Sequence, residues 1–106
     1  MDVVLQALSD ASRRTVLEAL SDGPATVGEL AALLPIARPG VSRHLRVLRA
    51  AGLVDVRKQG QFRVYDLRPA PLAELEEWLG HHRSLWEARM NALQTEVTRG
   101  KKRNAT

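Results

Sequence analysis

The residues best suited to chemistry are basic side chains clustered in the middle of the chain, and that chemistry is the binding of a polyanion. Residues 38–68 carry eight lysines and arginines against two aspartates, whereas residues 1–37 and 69–97 each carry more acidic than basic side chains. Such local clusters, more than the net charge, attract a polyanion. Between Arg38 and Arg49 there are four arginines, one histidine and no acid to pair with them, so a merely solvated surface is the weaker explanation.

Other chemistries have little support in the sequence. The chain has no cysteine, which excludes disulfides, thiolate metal ligands and cysteine nucleophiles. It has no glycine-rich phosphate loop and no Ser-His or paired-carboxylate constellation among apolar, cleft-forming runs, so we expect no enzymatic activity. Its four aromatic residues are too few for a platform that stacks single-stranded nucleic acid. No signal peptide and no apolar run approaching about 18 residues is present, and we expect a soluble cytoplasmic protein without a membrane partner.

The elements that must position the basic cluster are five helices and one hairpin. A short helix over residues 2–8 opens the chain, and a second begins after the capping residues Ser9 and Asp10. Thr26-Val27-Gly28-Glu29 is a capping box that starts a third helix. A fourth, basic helix runs from about Arg38 to Ala51.

The second half of the chain predicts a hairpin and a long helix. The apolar and β-branched runs 53–58 and 62–67 flank Gln59-Gly60-Gln61, which places a glycine at the tip. After Pro69 and Pro71 a helix runs to about Val97. The order of helix, tight break, basic helix and hairpin is typical of a winged helix-turn-helix. We therefore predict a mainly α fold with a small β-hairpin, a single domain over residues 1–97, and a basic, disordered tail over residues 98–106.

The fourth helix is the expected DNA-reading element. Val41, Leu45 and Leu48 form one apolar stripe, and the arginine-rich remainder suits the major groove of duplex DNA. Arg38, Ser42 and Arg43 are expected at base edges and Arg46 on phosphate, while His44 is given a structural or phosphate-contacting role. The DNA-binding set on this helix is Arg38, Pro39, Gly40, Ser42, Arg43, His44, Arg46 and Arg49.

The hairpin is expected to act as a wing that contacts phosphates or the minor groove. Edge strands often carry cations only to prevent aggregation, so the position directly after a basic helix is what favours DNA contact. Phe62 and Tyr65 are interpreted as packing residues rather than base-stacking ones. The wing candidates are Arg57, Lys58, Gln59, Gln61 and Arg63.

Five segments along the chain carry a distinctive set of motifs: Ala7-Leu8-Ser9-Asp10-Ala11-Ser12-Arg13-Arg14, Thr26-Val27-Gly28-Glu29-Leu30-Ala31, Val41-Ser42-Arg43-His44-Leu45-Arg46-Val47-Leu48, Ala51-Gly52-Leu53-Val54 and Arg63-Val64-Tyr65-Asp66-Leu67. These motifs resemble those of the ArsR/SmtB family. The resemblance extends to Leu93 and implies a homodimeric winged-helix repressor of bacterial or archaeal type, which binds a partly palindromic operator and leaves it when an unknown effector binds. Its own promoter is one candidate operator. A metal-responsive repressor with a non-standard site and a protein-binding assembly module are the alternatives.

Many members of that family sense metals, but neither of the family's metal sites has its ligands here. Thr26 stands at the thiolate position of the third helix. Counting the ligand pattern of the last helix from Glu74 and Glu76 leads only to Glu87 and Met90. We therefore expect no metal and no cofactor. Glu74, Glu77 and His81 share one face of the last helix and could hold a divalent ion together with ligands from a second subunit. An ordinary charged surface is the preferred interpretation.

The last helix also carries a wide apolar seam, which predicts that it pairs with a second copy of the chain. With Leu72 at heptad position a, the a, d and g positions that follow are mostly apolar. His82 is a polar member that could fix the register or titrate, and a satisfied interfacial histidine is the preferred interpretation. The terminal helices are expected to form the homodimer interface through Val4, Leu5, Leu8, Leu75, Trp78, Leu79, His82, Leu85, Trp86, Arg89 and Leu93.

Overall fold

The structure is a computed structural model that describes the backbone of residues 1–104 and the side chains of residues 1–100. Its elements confirm the predicted order of helices and strands, with ends that differ by one or two residues up to the last helix. The chain divides into two compact units, Met1–Ala73 and the part from Glu74 onward, which are described in turn. The elements are α1 (Asp2–Leu8), α2 (Ala11–Leu20), α3 (Val27–Leu33), α4 (Arg38–Ala50), β1 (Val54–Gln59), β2 (Phe62–Leu67) and α5 (Ala70–Asn104).

Side-chain caps start two of the helices in the first unit. The Asp10 carboxylate accepts a hydrogen bond from the backbone amide of Arg13 at 3.1 Å, and this bond lowers the pKa of that carboxyl. At α3 the predicted capping box is complete: Glu29 N donates to Thr26 Oγ1 at 3.2 Å, and Thr26 N donates to Glu29 Oε1 at 3.1 Å. The residue before α4 is Ala37, which offers no side-chain cap.

The core of the first unit lies between α1, α2, α3, α4 and the base of the hairpin. The predicted stripe of Val41, Leu45 and Leu48 is fully buried, and Leu30 from α3 is buried with it. Burying one such leucine or valine stabilises a fold by about 1.5–3 kcal/mol, so this stripe fixes how α4 is rotated about its axis. The buried apolar residues are Val4, Ala7, Val16, Leu17, Leu20, Ala25, Leu30, Val41, Leu45, Leu48, Leu53 and Val54.

The hairpin is anchored at its base and free at its tip. β1 and β2 pair antiparallel from Val54 opposite Leu67 to Gln59 opposite Phe62. At the base, Tyr65 N donates to Ala25 O at 2.8 Å and Ala25 N donates to Tyr65 O at 2.9 Å, which ties β2 to the segment before α3. At the tip, Gly60 has φ +64°, a conformation that favours glycine.

The two aromatic residues of the hairpin have different environments. Tyr65 packs against the core, which confirms its interpretation as a packing residue. The same interpretation of Phe62 is wrong, because its side chain is 61% exposed. Phe62 pairs with Gln59 in the last register position before the tip, beyond the part of the hairpin that lies on the core.

The second unit is the part of α5 from Glu74 onward. Most of its large apolar side chains are exposed within the described chain, and together with His82 they recur every three or four residues. α5 passes the predicted end at Val97 and continues to Asn104, because one glycine among good helix formers costs only about 1 kcal/mol. The predicted disordered tail thus begins inside this helix, and residues 105–106 lie outside the described part. No described helix is both long and apolar enough to cross a membrane.

Candidate nucleic-acid interface

The exposed side of α4 lies opposite its buried stripe. Pro39, Arg43, Arg46 and Arg49 are exposed, and Ser42 is half-buried at the border of the stripe. Since 3.6 residues make one turn, Ser42, Arg46 and Arg49 share one flank of the helix. The buried stripe therefore directs a row of guanidinium groups away from the core.

Two grooves join this flank of α4 to the hairpin. One groove, of about 300 Å³, is lined by Ser42, Leu45, Arg46, Arg49, Arg63 and Tyr65. The other, of about 200 Å³, is lined by Arg49, Val56, Arg57, Lys58 and Arg63. Because Arg49 and Arg63 line both, the basic helix and the basic hairpin form one continuous surface. We call this surface the α4–wing surface, and its cations are Arg46, Arg49, Arg57, Lys58 and Arg63.

The α4–wing surface lacks internal counter-charges. The ion pairs found within residues 1–100 are Arg13 with Asp10, Arg68 with Asp55 and Arg83 with Glu87, and none of them uses a cation of this surface. Lys58 and Arg63 even occupy directly opposite positions in the hairpin. Like charges in such positions repel and destabilise the sheet. A surface of this kind attracts an external polyanion, which would supply the negative charge.

Arg38 lies at a different edge of the first unit. A Cβ atom placed on Gly28 would be 3.7 Å from Nη2 of Arg38, so this guanidinium lies against the first turn of α3. There it borders a groove of about 480 Å³ that also includes Gln61, Phe62 and Arg63 of the hairpin. Arg38 and the wing tip are thus neighbours, although the sequence placed Arg38 with Ser42 and Arg43.

Gly40 and His44 of the predicted DNA-binding set, like Arg38, lie apart from the α4–wing surface. Gly40 is buried, and a Cβ atom there would be 3.0 Å from Cγ2 of Ile36, so this glycine allows close packing within the helix-turn-helix. His44 is half-buried on the other flank of α4, on the side that faces Asp10 at the start of α2. Both positions follow from the rotation of α4, which the buried stripe determines, and the DNA contacts expected of these two residues stay predictions.

Phe62 is a surface residue that the sequence-based set omitted. The signal that could have found it is its position two residues after the tip glycine, opposite the polar Gln59. A side chain so close to a hairpin tip has little core to cover it.

Metal ligands do not converge in the described chain. Among residues 1–100, no group of three or more histidine, aspartate or glutamate side chains is placed to hold an ion. Glu74, Glu77 and His81 share a helix face but do not form such a group within one chain. Thr26, at the family's thiolate position, uses its hydroxyl to cap α3.

Sequence comparison places these features in a known context. A family profile described as a helix-turn-helix domain matches residues 8–57. An HTH-type transcriptional regulator of Mycobacterium tuberculosis is 53% identical over 74 residues, which cover 70% of this chain and 69% of that protein. The transcriptional repressor SdpR of Bacillus subtilis is 34% identical over 79 residues, covering 74% of this chain and 88% of its own.

Solved structures of ArsR-type proteins confirm the fold. A crystal structure described as an ArsR family transcriptional regulator has a TM-score of 0.72 at 40% identity and covers 81% of this chain and 94% of its own. An ArsR-like regulator from Rhodococcus sp. RHA1 has a TM-score of 0.76 at 31% identity, with 89% of each chain covered. This chain belongs to the ArsR/SmtB family. The predicted winged helix-turn-helix fold and the predicted class of transcriptional regulator are therefore confirmed.

Proposed function

We propose that this ArsR-family chain is a homodimeric cytoplasmic repressor of a partly palindromic DNA operator, with α4 in the major groove and the hairpin as a wing. The observation that carries the proposal is the α4–wing surface, where cations from two elements share two grooves and have no acidic partner among the described residues. A duplex supplies closely spaced phosphates and therefore satisfies this surface in a way that a small anion cannot.

Within this arrangement the side chains of α4 divide into two roles. Arg43 is exposed on the outer side of the helix, away from the wing, and can reach a base edge, where a bidentate bond to guanine is worth about 1–3 kcal/mol of discrimination. Ser42 lies beside it at the entrance to the α4–wing groove. Arg46 and Arg49 lie against the wing and are assigned to phosphates, as are the hairpin cations.

The direct test is DNA binding measured by fluorescence anisotropy across a range of salt concentrations. The probes are the duplex upstream of the chain's own coding sequence and a scrambled duplex of equal composition. If the five cations of the α4–wing surface each neutralise one phosphate, the slope of log K against log salt is about −4.5 per protomer. Equal affinity for both duplexes at physiological salt would refute the repressor proposal.

A pair of arginine variants separates base reading from general attraction. Arg43→Ala is expected to weaken binding to the upstream duplex by about tenfold or more, while binding to the scrambled duplex changes much less. Arg83→Ala is the matched control, because Arg83 is an exposed α5 arginine already paired with Glu87 at 3.8 Å. Equal losses on both duplexes would reassign Arg43 to a phosphate.

The homodimer rests on the exposed apolar residues of the two terminal helices. From Glu74 onward, α5 exposes Trp78 by 42%, Trp86 by 50% and Leu93 by 53%. A monomer rarely leaves so long an apolar stripe in water, so we assign the stripe to a second copy. α1 exposes Leu5. Val4 is excluded from the proposed interface because it is buried in its own core. The proposed interface residues are Leu5, Leu8, Leu75, Trp78, Leu79, His82, Leu85, Trp86, Arg89 and Leu93.

Sedimentation equilibrium tests the α5 interface. Trp86→Asp is expected to convert the dimer to monomer and to reduce operator affinity with it, since each monomer then holds only one half-site. Ser84→Asp is the control, because it introduces the same charge on the side of α5 away from the stripe. A Trp86→Asp protein that remains dimeric would refute this interface.

We also propose that the chain does not use the family's metal sites. Support comes from Thr26, whose hydroxyl accepts a hydrogen bond from Glu29 N at 3.2 Å and thus has a structural role. Titration with zinc is expected to leave affinity for the upstream duplex unchanged. Release of the duplex at stoichiometric zinc would contradict this proposal.

A further inference from the structure

Phe62 is a large apolar side chain on the hairpin that the fold leaves uncovered. It is 61% exposed, and it faces the opposite side of β2 from Arg63 because successive residues of a strand alternate. Tyr65, three residues further on, packs on the core and needs no external partner. Of these two aromatic residues, only the one in the tip half of the hairpin is left uncovered.

The surroundings of Phe62 are polar and basic. It lines the groove of about 480 Å³ together with Gln61, Arg63, Arg38 and the first turn of α3. The one acidic side chain in that lining is Glu29, whose carboxylate already accepts the Thr26 amide at 3.1 Å. The groove that the ring lines thus also includes Arg38, Arg63 and Gln61, while the Glu29 carboxylate is engaged in the cap of α3.

We propose that Phe62 is the apolar contact of the wing in the DNA minor groove, where its ring lies against the deoxyribose wall while Gln61 and Arg63 bond the groove edges. This inference rests on the proposed function and assigns the wing a groove and a contact type. The walls of the minor groove are built from sugar rings, which offer apolar surface between two rows of phosphates. Proteins that enter this groove combine cations or amides with an apolar side chain.

A protein partner would fit this feature less well. The centre of a protein–protein interface is a cluster of buried apolar residues, whereas here a single exposed ring shares its groove with arginine and glutamine residues. The ring and its cations match a surface that alternates sugar and phosphate. The groove below it extends to Arg38, so the duplex would also meet a cation on the far side of the ring.

The first experiment compares Phe62→Ala with Phe62→Leu on the upstream duplex across salt. DNA binding would bury the exposed part of the Phe62 side chain, so Phe62→Ala is expected to weaken binding about tenfold. The side chain is uncharged, and the slope of log K against log salt should therefore not change. Phe62→Leu keeps an apolar side chain and is expected to retain most of the affinity. Arg63→Ala instead makes the slope shallower by about 0.9. Leu33→Ala, at an apolar residue on α3 that is 74% exposed, is the control and is expected to bind like the wild type.

A second experiment identifies the groove. Replacing adenine by 2,6-diaminopurine adds an amino group to the minor groove and leaves the major-groove pattern intact. Wild-type protein is expected to lose several-fold affinity for the substituted upstream duplex. Gln61→Ala, which has already lost its contact with the groove edge, is expected to lose much less. Equal losses for the two proteins would overturn the minor-groove assignment.

The outcomes separate this inference from the function on which it rests. If the wild type does not prefer the upstream duplex over the scrambled one, the proposed function itself fails. If the wild type shows that preference and Phe62→Ala binds within about twofold of it, only the role of Phe62 fails. If Phe62→Ala changes the sedimentation equilibrium of the free protein, the ring belongs to a protein interface and the proposal is overturned.

Discussion

Removing one of two opposed cations on the wing is expected to stabilise the free protein and to weaken its DNA binding. Lys58 and Arg63 are paired across β1 and β2, and both are exposed. Directly opposite residues of an antiparallel pair have Cβ atoms about 5 Å apart, where like charges are destabilising. Lys58→Thr removes the repulsion and keeps a β-branched residue that suits a strand.

The expected gain follows from the exposure of the pair. Cross-strand pairs contribute about 0.2–1 kcal/mol, and full solvent exposure favours the lower half of that range. A gain of about 0.5 kcal/mol corresponds to a rise in Tm of about 2–4 °C for a domain of this size. At 1 M salt the screening length falls to about 3 Å, so the gain in Tm should largely disappear.

Thermal unfolding followed by circular dichroism measures the rise in Tm. Fluorescence anisotropy on the upstream duplex measures the loss of DNA affinity. Loss of one phosphate contact should make the salt slope of DNA binding shallower by about 0.9. Arg68→Thr is the matched control, since Arg68 is paired with Asp55 at 3.5 Å and its removal relieves no repulsion. A lower Tm for Lys58→Thr at low salt would refute the repulsion, and an unchanged slope would refute the phosphate contact.

Three further predictions concern the elements that support this surface. Thr26→Ala should lower the free energy of unfolding by about 1 kcal/mol in denaturant titrations, while Thr26→Ser retains the cap. Gly40→Ala should destabilise, because its methyl group would meet Ile36 at 3.0 Å, whereas Gly80→Ala has open space and should stabilise α5 by up to about 1 kcal/mol. Asp10→Ala should lower Tm at neutral pH. Folding lowers the pKa of Asp10, because its carboxylate accepts a hydrogen bond from the Arg13 amide. The ionised carboxylate therefore stabilises the wild type at pH values above 3.8, the usual pKa of an aspartate. This contribution to the Tm difference between wild type and Asp10→Ala is lost as the pH falls through the lowered pKa of the folded state.

Local signals explain why the element order could be predicted from the sequence. The capping box at Thr26 and the glycine at position 52, which has φ +79°, act within a few residues of themselves. The buried stripe of α4 is also local, since it follows from helical spacing. Interactions of this range do not depend on the rest of the fold, and the boundaries they predict agree with the structure to within a residue or two.

The flank assignments on α4 could not be predicted from the same pattern. Helical spacing identifies the buried stripe, but it treats its two flanks alike. Ser42 and His44 both border the stripe, yet Ser42 lines the groove with the wing while His44 lies near Asp10. Only the placement of α2 and the hairpin around α4 distinguishes them. Arg38 is a similar case, because its position depends on the approach of α3 to the wing tip.

The hairpin shows how stability and function are divided along one element. Its base is fixed by the paired hydrogen bonds between Ala25 and Tyr65 and by the buried Val54. Its tip half carries the opposed cations and the uncovered Phe62, features that each cost stability in the free protein. A segment with few apolar contacts opens more easily than the core to which it is attached. Duplex DNA would supply both the negative charge and an apolar wall, so binding should order the tip without altering the base. Slower amide hydrogen exchange in β1 and β2 near the tip, with unchanged exchange at Ala25 and Tyr65, is the result that this reasoning requires.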